Sequence, residues 1–337
     1  MANFTPSNLL TAQAMVIDRY KAPENRVKPS PVLALGLRNQ AILIPSHLEL
    51  RKREDRAVKA FLLARTKRAT TASRLHNHTG NRGDSFEQTL SWTIYADKFS
   101  ISLKQLDNNL FDFNTTLSHQ LENSMKNILS DIETALVTNL LSEKTEINAA
   151  TYNGTFNAAY DTFEISSEAR FYQHLKSMMR QNDYNTELDV IANSIAFSNA
   201  EFQRNQGSGN SSNTNFQFNG MEIVESYELT DANYTTSDLV LAMPKGAFGV
   251  LPWIPKQNRI GQGDYNSYVG GFGTIKDPFG LGLDIAVHGY SDRADTSASN
   301  GNSQDVVMQF ELSVDIAPAI APLSVATETP IFQAARV

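Results

Sequence analysis

The sequence predicts an α+β fold, and three features of its 337 residues lead to that prediction. A long amphipathic helix is expected from about residue 112 to about residue 143. Extended segments with alternating side chains lie before it, between residues 58 and 103, and again after residue 281. Helices and strands are mixed between residues 161 and 265. These assignments rest on periodicity, since alternation with period two indicates strands and spacings of three and four indicate helices.

The composition is that of a folded chain with a buried core, since 41% of residues are hydrophobic and 19% are charged. Cysteine is absent, which excludes disulfide bonds and cysteine-ligated metals and fits a reducing compartment. The first residues lack a basic region followed by an apolar run, so no secretory signal is expected. No stretch approaches the roughly 18 apolar residues that span a bilayer, so no membrane partner is expected.

Charge is distributed unevenly along the chain, whose formal net charge is −7. Residues 51–74 contain nine basic residues and two acidic ones, which leaves −14 for the rest. The basic residues of this segment are Arg51, Lys52, Arg53, Arg56, Lys59, Arg65, Lys67, Arg68 and Arg74. Such an asymmetry predicts an acidic partner, either nucleic acid or the surface of another subunit.

The N-terminal 47 residues are predicted to form an arm rather than a domain. Pro23, Pro29, Pro31 and Pro45 interrupt regular structure, because proline fixes φ and lacks the amide donor. One short helix is expected within the arm, at Leu9 to Tyr20.

An extended hairpin is predicted between Val58 and Leu103, with a polar tip at Leu75 to Asp84. From Phe86 to Tyr95 the side chains alternate, so that Leu90, Trp92 and Ile94 should share one face. A polar break is expected at residues 96–98, after which alternation resumes. The first limb, residues 57–71, fits either a strand or a helix, and the Gly-containing tip that follows favours the strand.

The helix from Asp112 to Glu143 has apolar residues spaced by three and four positions. Asp112 or Asn114 can cap its start. About 30 residues at 1.5 Å each give a rod of roughly 45 Å. Heptads are not strict, so we expect the helix to lie on a sheet rather than to form a free coiled coil.

Regular elements are also predicted in the second half of the chain. Helices are expected at 167–179 and up to about residue 203, and strands at 188–192, 221–227, 238–243, 281–290 and 305–316. Pro318, Pro322 and Pro330 predict a tail outside the main sheets.

No catalytic residues, cofactor or metal are predicted, and the chain is not expected to be an enzyme. The glycines of residues 261–266 lack the spacing of a phosphate-binding loop. His76 and His78 have no partner at a metal-ligand spacing, and the tripeptide Arg82 to Asp84 is ordinary turn chemistry. The chain contains no nucleophile elbow. Five acids along or beside the long helix are expected to be mostly a solvated face, namely Asp107, Asp112, Glu122, Asp131 and Glu133.

Taken in order, the elements resemble the major capsid proteins of tailed bacteriophages, which have the HK97-like fold. The resemblance covers most of the chain in the order of its elements, and it includes several local segments. These are residues 74–85, Leu90–Tyr95 (LSWTIY), Leu188–Asn193 (LDVIAN), Asn219–Ser226 (NGMEIVES) and Gln304–Ser313 (QDVVMQFELS).

The resemblance implies a division into five parts. These are an N-terminal arm (1–50), an extended hairpin or E-loop (51–106), a spine helix with peripheral domain (107–160), an axial α/β domain (161–265), and a β return to the peripheral domain with a C-terminal tail (266–337). It implies hexamers and pentamers that close into an icosahedral shell around phage DNA. Scaffold, portal and decoration proteins would be further partners. The protein would be made in the bacterial host cytoplasm and reside in the virion.

Candidate subunit-interface residues are Arg65, Lys67, Arg68, Arg74 and Trp92. We expect the basic segment to form salt bridges with the acidic surface of a neighbour, without a covalent crosslink. Two alternatives stay open, namely another virion structural protein and a DNA-binding protein that uses residues 51–74, whose affinity would fall steeply with salt.

Overall fold

The computed structural model describes the chain at residues 6–20, 30–63, 74, 85–102, 112–145, 156–166, 171–181, 187–205, 215–218, 220–259, 272–295, 304–322 and 329–337. The predicted α+β class is confirmed, because the described chain combines helices with largely antiparallel sheets. The predicted hairpin tip and residues 261–266 lie outside the described residues.

The helices are α1 (Pro6–Arg19), α2 (Pro31–Leu43), α3 (His47–Lys52), α4 (Phe113–Ser142), α5 (Phe171–Gln181) and α6 (Ser194–Asn205). The strands before residue 230 are β1 (Lys59–Leu63), β2 (Ser85–Thr89), β3 (Thr93–Ser102), β4 (Phe156–Asn157), β5 (Thr162–Ile165), β6 (Leu188–Ala192), β7 (Asn215–Phe218) and β8 (Met221–Glu225). The later strands are β9 (Asp238–Pro244), β10 (Phe248–Trp253), β11 (Phe272–Lys276), β12 (Asp284–Asp295), β13 (Gln304–Ile320) and β14 (Phe332–Arg336).

The strands form three sheets. The smallest contains only the antiparallel pair β1 and β2. The second has the order β10-β13-β12-β11, and β3 pairs with the other edge of β13. The third has seven strands in the order β4-β5-β14-β9-β6-β8-β7, with parallel pairs at β5/β14 and β6/β8. A single large hydrophobic cluster joins α1, α2 and α4 to the two larger sheets.

The predicted long helix is confirmed as α4. Its N-cap is Asp112, whose Oδ1 accepts a hydrogen bond from the Thr115 amide at 2.8 Å. Nine of its apolar residues are buried, as their spacing predicted, namely Leu117, Leu121, Met125, Ile128, Leu129, Ile132, Leu136, Val137 and Leu140. The helix lies against β3 and β13 of the second sheet, as expected for a helix on a sheet.

The expectation of an N-terminal arm is wrong for the described part of residues 1–50. Helix α1 buries Leu9, Ala12 and Val16 against the main cluster, and α2, which was not predicted, lies against β10 and α4. Pro31 begins α2 rather than breaking it, because the first helical position needs no amide donor. These helices therefore belong to the core.

The predicted face of the hairpin's second limb is wrong at one position. Leu90 is buried and Trp92 half-buried, but Ile94 is exposed. The chain leaves the β2 ladder at Leu90 and enters β3 at Thr93, so the alternation does not continue across the gap. The expected break at residues 96–98 is also absent, because β13 pairs with β3 along its whole length.

The predicted C-terminal tail is also wrong. Pro318 lies within β13, opposite Val250 of β10, and β3 ends its pairing at Ile316. Pro318 therefore has a strand neighbour on one side only, where proline is tolerated. Pro330 precedes β14, which lies inside the seven-stranded sheet between β5 and β9.

Gly36 sets the distance between α2 and β10, and we expect Gly36→Ala to lower the free energy of unfolding by up to about 2 kcal/mol. A Cβ at this position would overlap Val250 Cγ2 and lie 2.8 Å from Phe248 Cε1. Overpacking costs roughly 1–3 kcal/mol, whereas alanine in a helix interior gains only about 1 kcal/mol over glycine. Urea unfolding measures the difference. Adding Val250→Ala should recover part of the loss, and a more stable Gly36→Ala protein would contradict this packing.

Candidate assembly interface

The β1/β2 hairpin has one buried face and one exposed face. Ala60 and Leu62 point inward, onto a small cluster that includes Leu50 of α3 and Leu251 of β10. On the other side Phe61 is 62% exposed. Val58, just before β1, is 64% exposed. Because a two-stranded sheet is at best marginally stable on its own in water, the exposed ring of Phe61 on this outer face is a candidate contact for another protein.

The connection from α3 to β1, residues 53–57, is the root of the hairpin, and both tryptophans of the chain bind its backbone. Trp253 Nε1 donates to the Arg53 carbonyl at 3.1 Å. Trp92 Nε1 donates to the Ala57 carbonyl at 2.7 Å. Buried indole groups normally find such an acceptor, and here the two acceptors flank the root. The direction in which the hairpin leaves the core is thereby restricted at both ends of the connection.

A buried guanidinium also binds the backbone at the hairpin root. Arg259, 7% exposed, donates to the carbonyls of Lys52, Arg53 and Ile254 at 2.8 to 3.1 Å. The Lys52 carbonyl belongs to the last turn of α3, whose carbonyls lack helical partners, so Arg259 caps that helix. Burial lowers the pKa of Arg259, with Glu54 opposing that shift. The planar fork of arginine suits a site with several fixed acceptors.

Arg56 joins the hairpin root to β13 through an ion pair. Its Nε lies 2.6 Å from Oδ2 of Asp315, a buried residue of β13. Burial raises the pKa of the Asp315 carboxyl, and the positive charge of Arg56 opposes that rise. The guanidinium carbons of Arg56 and Arg259 lie 5.7 and 5.4 Å from the Trp253 ring centroid. Trp253 therefore joins both cations through cation–π contacts.

The predicted interface residues fall into three groups. Arg65, Lys67 and Arg68 lie outside the described residues. Arg74 is exposed. Trp92 is half-buried and packs within its own chain, against the cluster under the hairpin. The structure thus brings Trp92 to the root, and subunit contact by all five residues stays a prediction.

Part of the basic segment is neutralised within the chain. Arg56 pairs with Asp315, Lys59 pairs with Glu87, and Arg51 lies 3.9 Å from Asp284. Arg56 joins the root to β13, Lys59 joins the two strands of the hairpin, and Arg51 joins α3 to β12. The predicted salt bridges between subunits are therefore left chiefly to the segment beyond β1.

Two acids expected on a solvated face of α4 are instead buried, which corrects that expectation. Glu122 is 7% exposed and binds Arg19 and the Tyr20 hydroxyl at the end of α1. Glu133 is 3% exposed and accepts hydrogen bonds at 3.1 Å from the amides of Val32 and Leu33 in the first turn of α2. The long helix thus holds both N-terminal helices through carboxylates.

Glu133 also accepts a hydrogen bond from Ser226 Oγ, beyond β8, at 3.1 Å. Burial raises its pKa to about 7, and the hydrogen bonds from Val32, Leu33 and Ser226 oppose the rise. The free amides of a helix start favour an anion nearby. One carboxyl therefore joins α4, α2 and the seven-stranded sheet.

Sequence reasoning missed Trp253, Arg259 and Glu133. The scarcity of tryptophan was a usable signal for Trp253, but no local pattern marks Arg259. Across the described residues, no group of three or more His, Asp or Glu could hold a metal ion. His76 and His78 lie outside those residues. Among the described helices, none is long and apolar enough to cross a membrane.

No family model matches the sequence, and neither does any curated protein. Solved structures similar to this chain include phage capsids, as the resemblance in the sequence predicts. The cyanophage Pam1 capsid has a TM-score of 0.48 at 10% identity, over 88% of this chain and 91% of that one. A chain of Mycobacterium phage Che8 has a TM-score of 0.47 at 9% identity, over 87% and 88%.

The holo-SrpI encapsulin complex from Synechococcus elongatus is also similar, with a TM-score of 0.40 at 11% identity, over 74% of this chain and 75% of that one. These are similarities at low sequence identity, and the case for a function rests on the residues of this chain.

Proposed function

We propose that this chain is a major capsid protein that assembles through hexamers and pentamers into an icosahedral shell around phage DNA. The observation that carries the proposal is the hairpin, a separate two-stranded sheet with an exposed phenylalanine on its outer face and a root held by side chains of the core. A neighbouring subunit that covered Phe61 and Val58 would supply the burial that the hairpin lacks.

The rest of the architecture supports a structural role. Helix α4 is a rod of about 45 Å, and both N-terminal helices and a sheet pack against it. The hairpin root is therefore attached to a rigid core. Two tryptophans and two arginines hold the root in one orientation. A shell subunit requires such a fixed geometry, because closure of a shell depends on the angle between neighbours.

Electron microscopy combined with sedimentation of the purified protein tests the proposal. Closed shells, or rings of five and six subunits, would support it. A protein that remains monomeric when supplied with its scaffold protein would contradict it. Scaffold, portal and decoration proteins are proposed as further partners, with the virion as the final location.

Replacing Phe61 with aspartate should abolish assembly while the monomer remains folded. The side chain is 62% exposed, so the isolated subunit loses little. A neighbour covering it would have to bury an unpaired carboxylate, which costs several kcal/mol. The matched control is Phe61→Leu, which keeps an apolar surface and should still assemble. Sedimentation reports assembly and circular dichroism reports folding. Normal shells from the aspartate variant would exclude Phe61 from the interface.

Reversing Arg65, Lys67 and Arg68 to glutamate should also abolish assembly, because salt bridges to an acidic neighbour would become repulsions. Glutamine at the same three positions is the control, since it removes attraction without adding repulsion and should weaken assembly less. Particle yield by gradient sedimentation measures both. If the glutamate variant forms shells in normal yield, these three cations do not lie between subunits.

A further inference from the structure

A cavity of about 620 Å³ lies beside the hairpin root, bounded by α3, β10 and the β11/β12 pair. Its apolar lining is formed by Leu48, Pro252, Trp253 and Ile254. Gln13 and Thr274 add neutral polar groups to the wall. The volume is within the range of small-molecule sites, which usually combine an apolar base with a few polar groups.

The charged side chains around this cavity are mostly positive. Four cations line it, namely Arg51, Lys52, Arg259 and Lys276, against the single carboxylate of Asp284. That carboxylate lies 3.9 Å from Arg51, so the contact is loose. An excess of three positive charges in one cavity contrasts with a protein whose net charge is −7. Such a concentration of one sign attracts an anion.

One of these cations is built into the site. Arg259 is 93% buried, and its hydrogen bonds to three carbonyls occupy four of its five N–H donors. No carboxylate forms an ion pair with it among the described residues, and Lys256 holds the nearby Glu54. Its charge is therefore fixed at the cavity wall without a neutralising partner in contact. Lys52 and Lys276, in contrast, are exposed at the rim.

We propose that this cavity binds a phosphate-bearing ligand, with the fixed charge of Arg259 at the wall and Lys52 and Lys276 closing on the phosphate from the rim. Phosphate is favoured over a single carboxylate because three surplus cations suit a group with several acceptor oxygens and more than one negative charge. The source is either a free phosphate compound or the backbone of a nucleic acid. The site goes beyond the proposed shell function and does not depend on it.

Binding to two probes tests the site on the full-length chain: pyrophosphate by isothermal titration calorimetry, and a labelled single-stranded DNA dodecamer by fluorescence anisotropy. The variant is Lys52→Gln with Lys276→Gln. The matched control is Arg180→Gln, an exposed cation on α5 away from the cavity. Because all three side chains are exposed, none of these changes should disturb folding.

The double variant should bind at least one probe about tenfold or more weakly, and the control should bind like the wild type. For DNA, the slope of log affinity against log salt should fall by about 0.7 for each phosphate that the variant no longer neutralises. Binding of pyrophosphate identifies a free phosphate ligand, and binding of DNA alone identifies a nucleic acid backbone. Equal weakening in the double variant and the control would overturn the proposal, and so would the absence of binding to both probes. Displacement of either probe by polyglutamate at lower concentration than by unlabelled probe would assign the cavity to an acidic peptide instead.

Discussion

Replacing Glu133 with glutamine is expected to remove the contribution of this carboxyl to the pH dependence of the unfolding free energy between about pH 4.5 and pH 8. The carboxyl is buried in the folded protein, where its pKa is raised from 4.5 to about 7. The folded state therefore holds a proton that the unfolded state releases, and stability falls as pH rises through this window. A shift of this size corresponds to roughly 3 kcal/mol lost between pH 4.5 and pH 7. Urea unfolding at several pH values measures it.

Glutamine suits this site because its side-chain oxygen can still accept hydrogen bonds from the amides of Val32 and Leu33, while its amide NH2 can donate to Ser226 Oγ. The free energy of unfolding of the variant should equal that of the wild type near pH 4.5 and exceed it near pH 8. The groups that face the carboxyl are the two amides, the serine hydroxyl and the more distant Glu228, which adds to the rise in pKa. No described cation is paired with it.

The matched control is Asp131→Asn, an exposed carboxylate two residues earlier on the same helix. It should leave the pH profile almost unchanged, because it keeps the buried carboxyl of Glu133. If Glu133→Gln keeps the full pH dependence of the wild type, another group is responsible and the buried carboxyl does not control the docking of α2.

Replacing Arg259 with methionine should destabilise the protein by about 3 kcal/mol and loosen the hairpin root. The change leaves the buried carbonyl of Ile254 and the part-buried carbonyl of Lys52 without these donors, and a fully buried unsatisfied group costs about 1–3 kcal/mol. Arg53 keeps its bond from Trp253. Hydrogen exchange of residues 53–63 should accelerate more than exchange of α4, and urea unfolding measures the global cost.

Two further variants separate charge from geometry at the root. Arg259→Lys keeps the positive charge, but a lysine cannot reach three carbonyls at once. This variant should therefore lose more than half of the stability that Arg259→Met loses. Lys256→Met removes an exposed ion pair with Glu54 on the adjacent turn and should cost under about 1 kcal/mol. Equal destabilisation by Arg259→Met and Lys256→Met would show that the buried fork has no special role.

The long helix and the strand Leu188–Ala192 could be predicted because each carries its own pattern. The apolar residues of α4 recur along one face, and Asp112 is a capping residue at its start. All five residues of β6 are buried, and all but Asp189 are apolar, which is typical of a strand covered on both faces. In both cases the information lies within neighbouring residues, so burial by any partner would produce the same element.

Helix α2 and strand β14 were missed because prolines nearby suggested irregular chain. Pro31 occupies the one helical position that suits it, and Pro330 stands just outside its strand. Whether a proline begins a regular element or marks irregular chain depends on whether another part of the protein buries the residues that follow it. For α2 that partner is β10, at a distance that only glycine at position 36 allows.

The long amphipathic helix α4 and the candidate hairpin follow from the sequence alone, because local periodicity and turn composition specify them. The contacts that hold the hairpin root depend on tertiary structure, since Trp253 and Arg53, which share a hydrogen bond, are 200 positions apart in the chain. The same holds for Glu133, whose raised pKa arises from burial beneath α2 and not from its neighbours along α4. Desolvation and long-range hydrogen bonds depend on which surfaces meet, and a pattern within one segment does not contain that information.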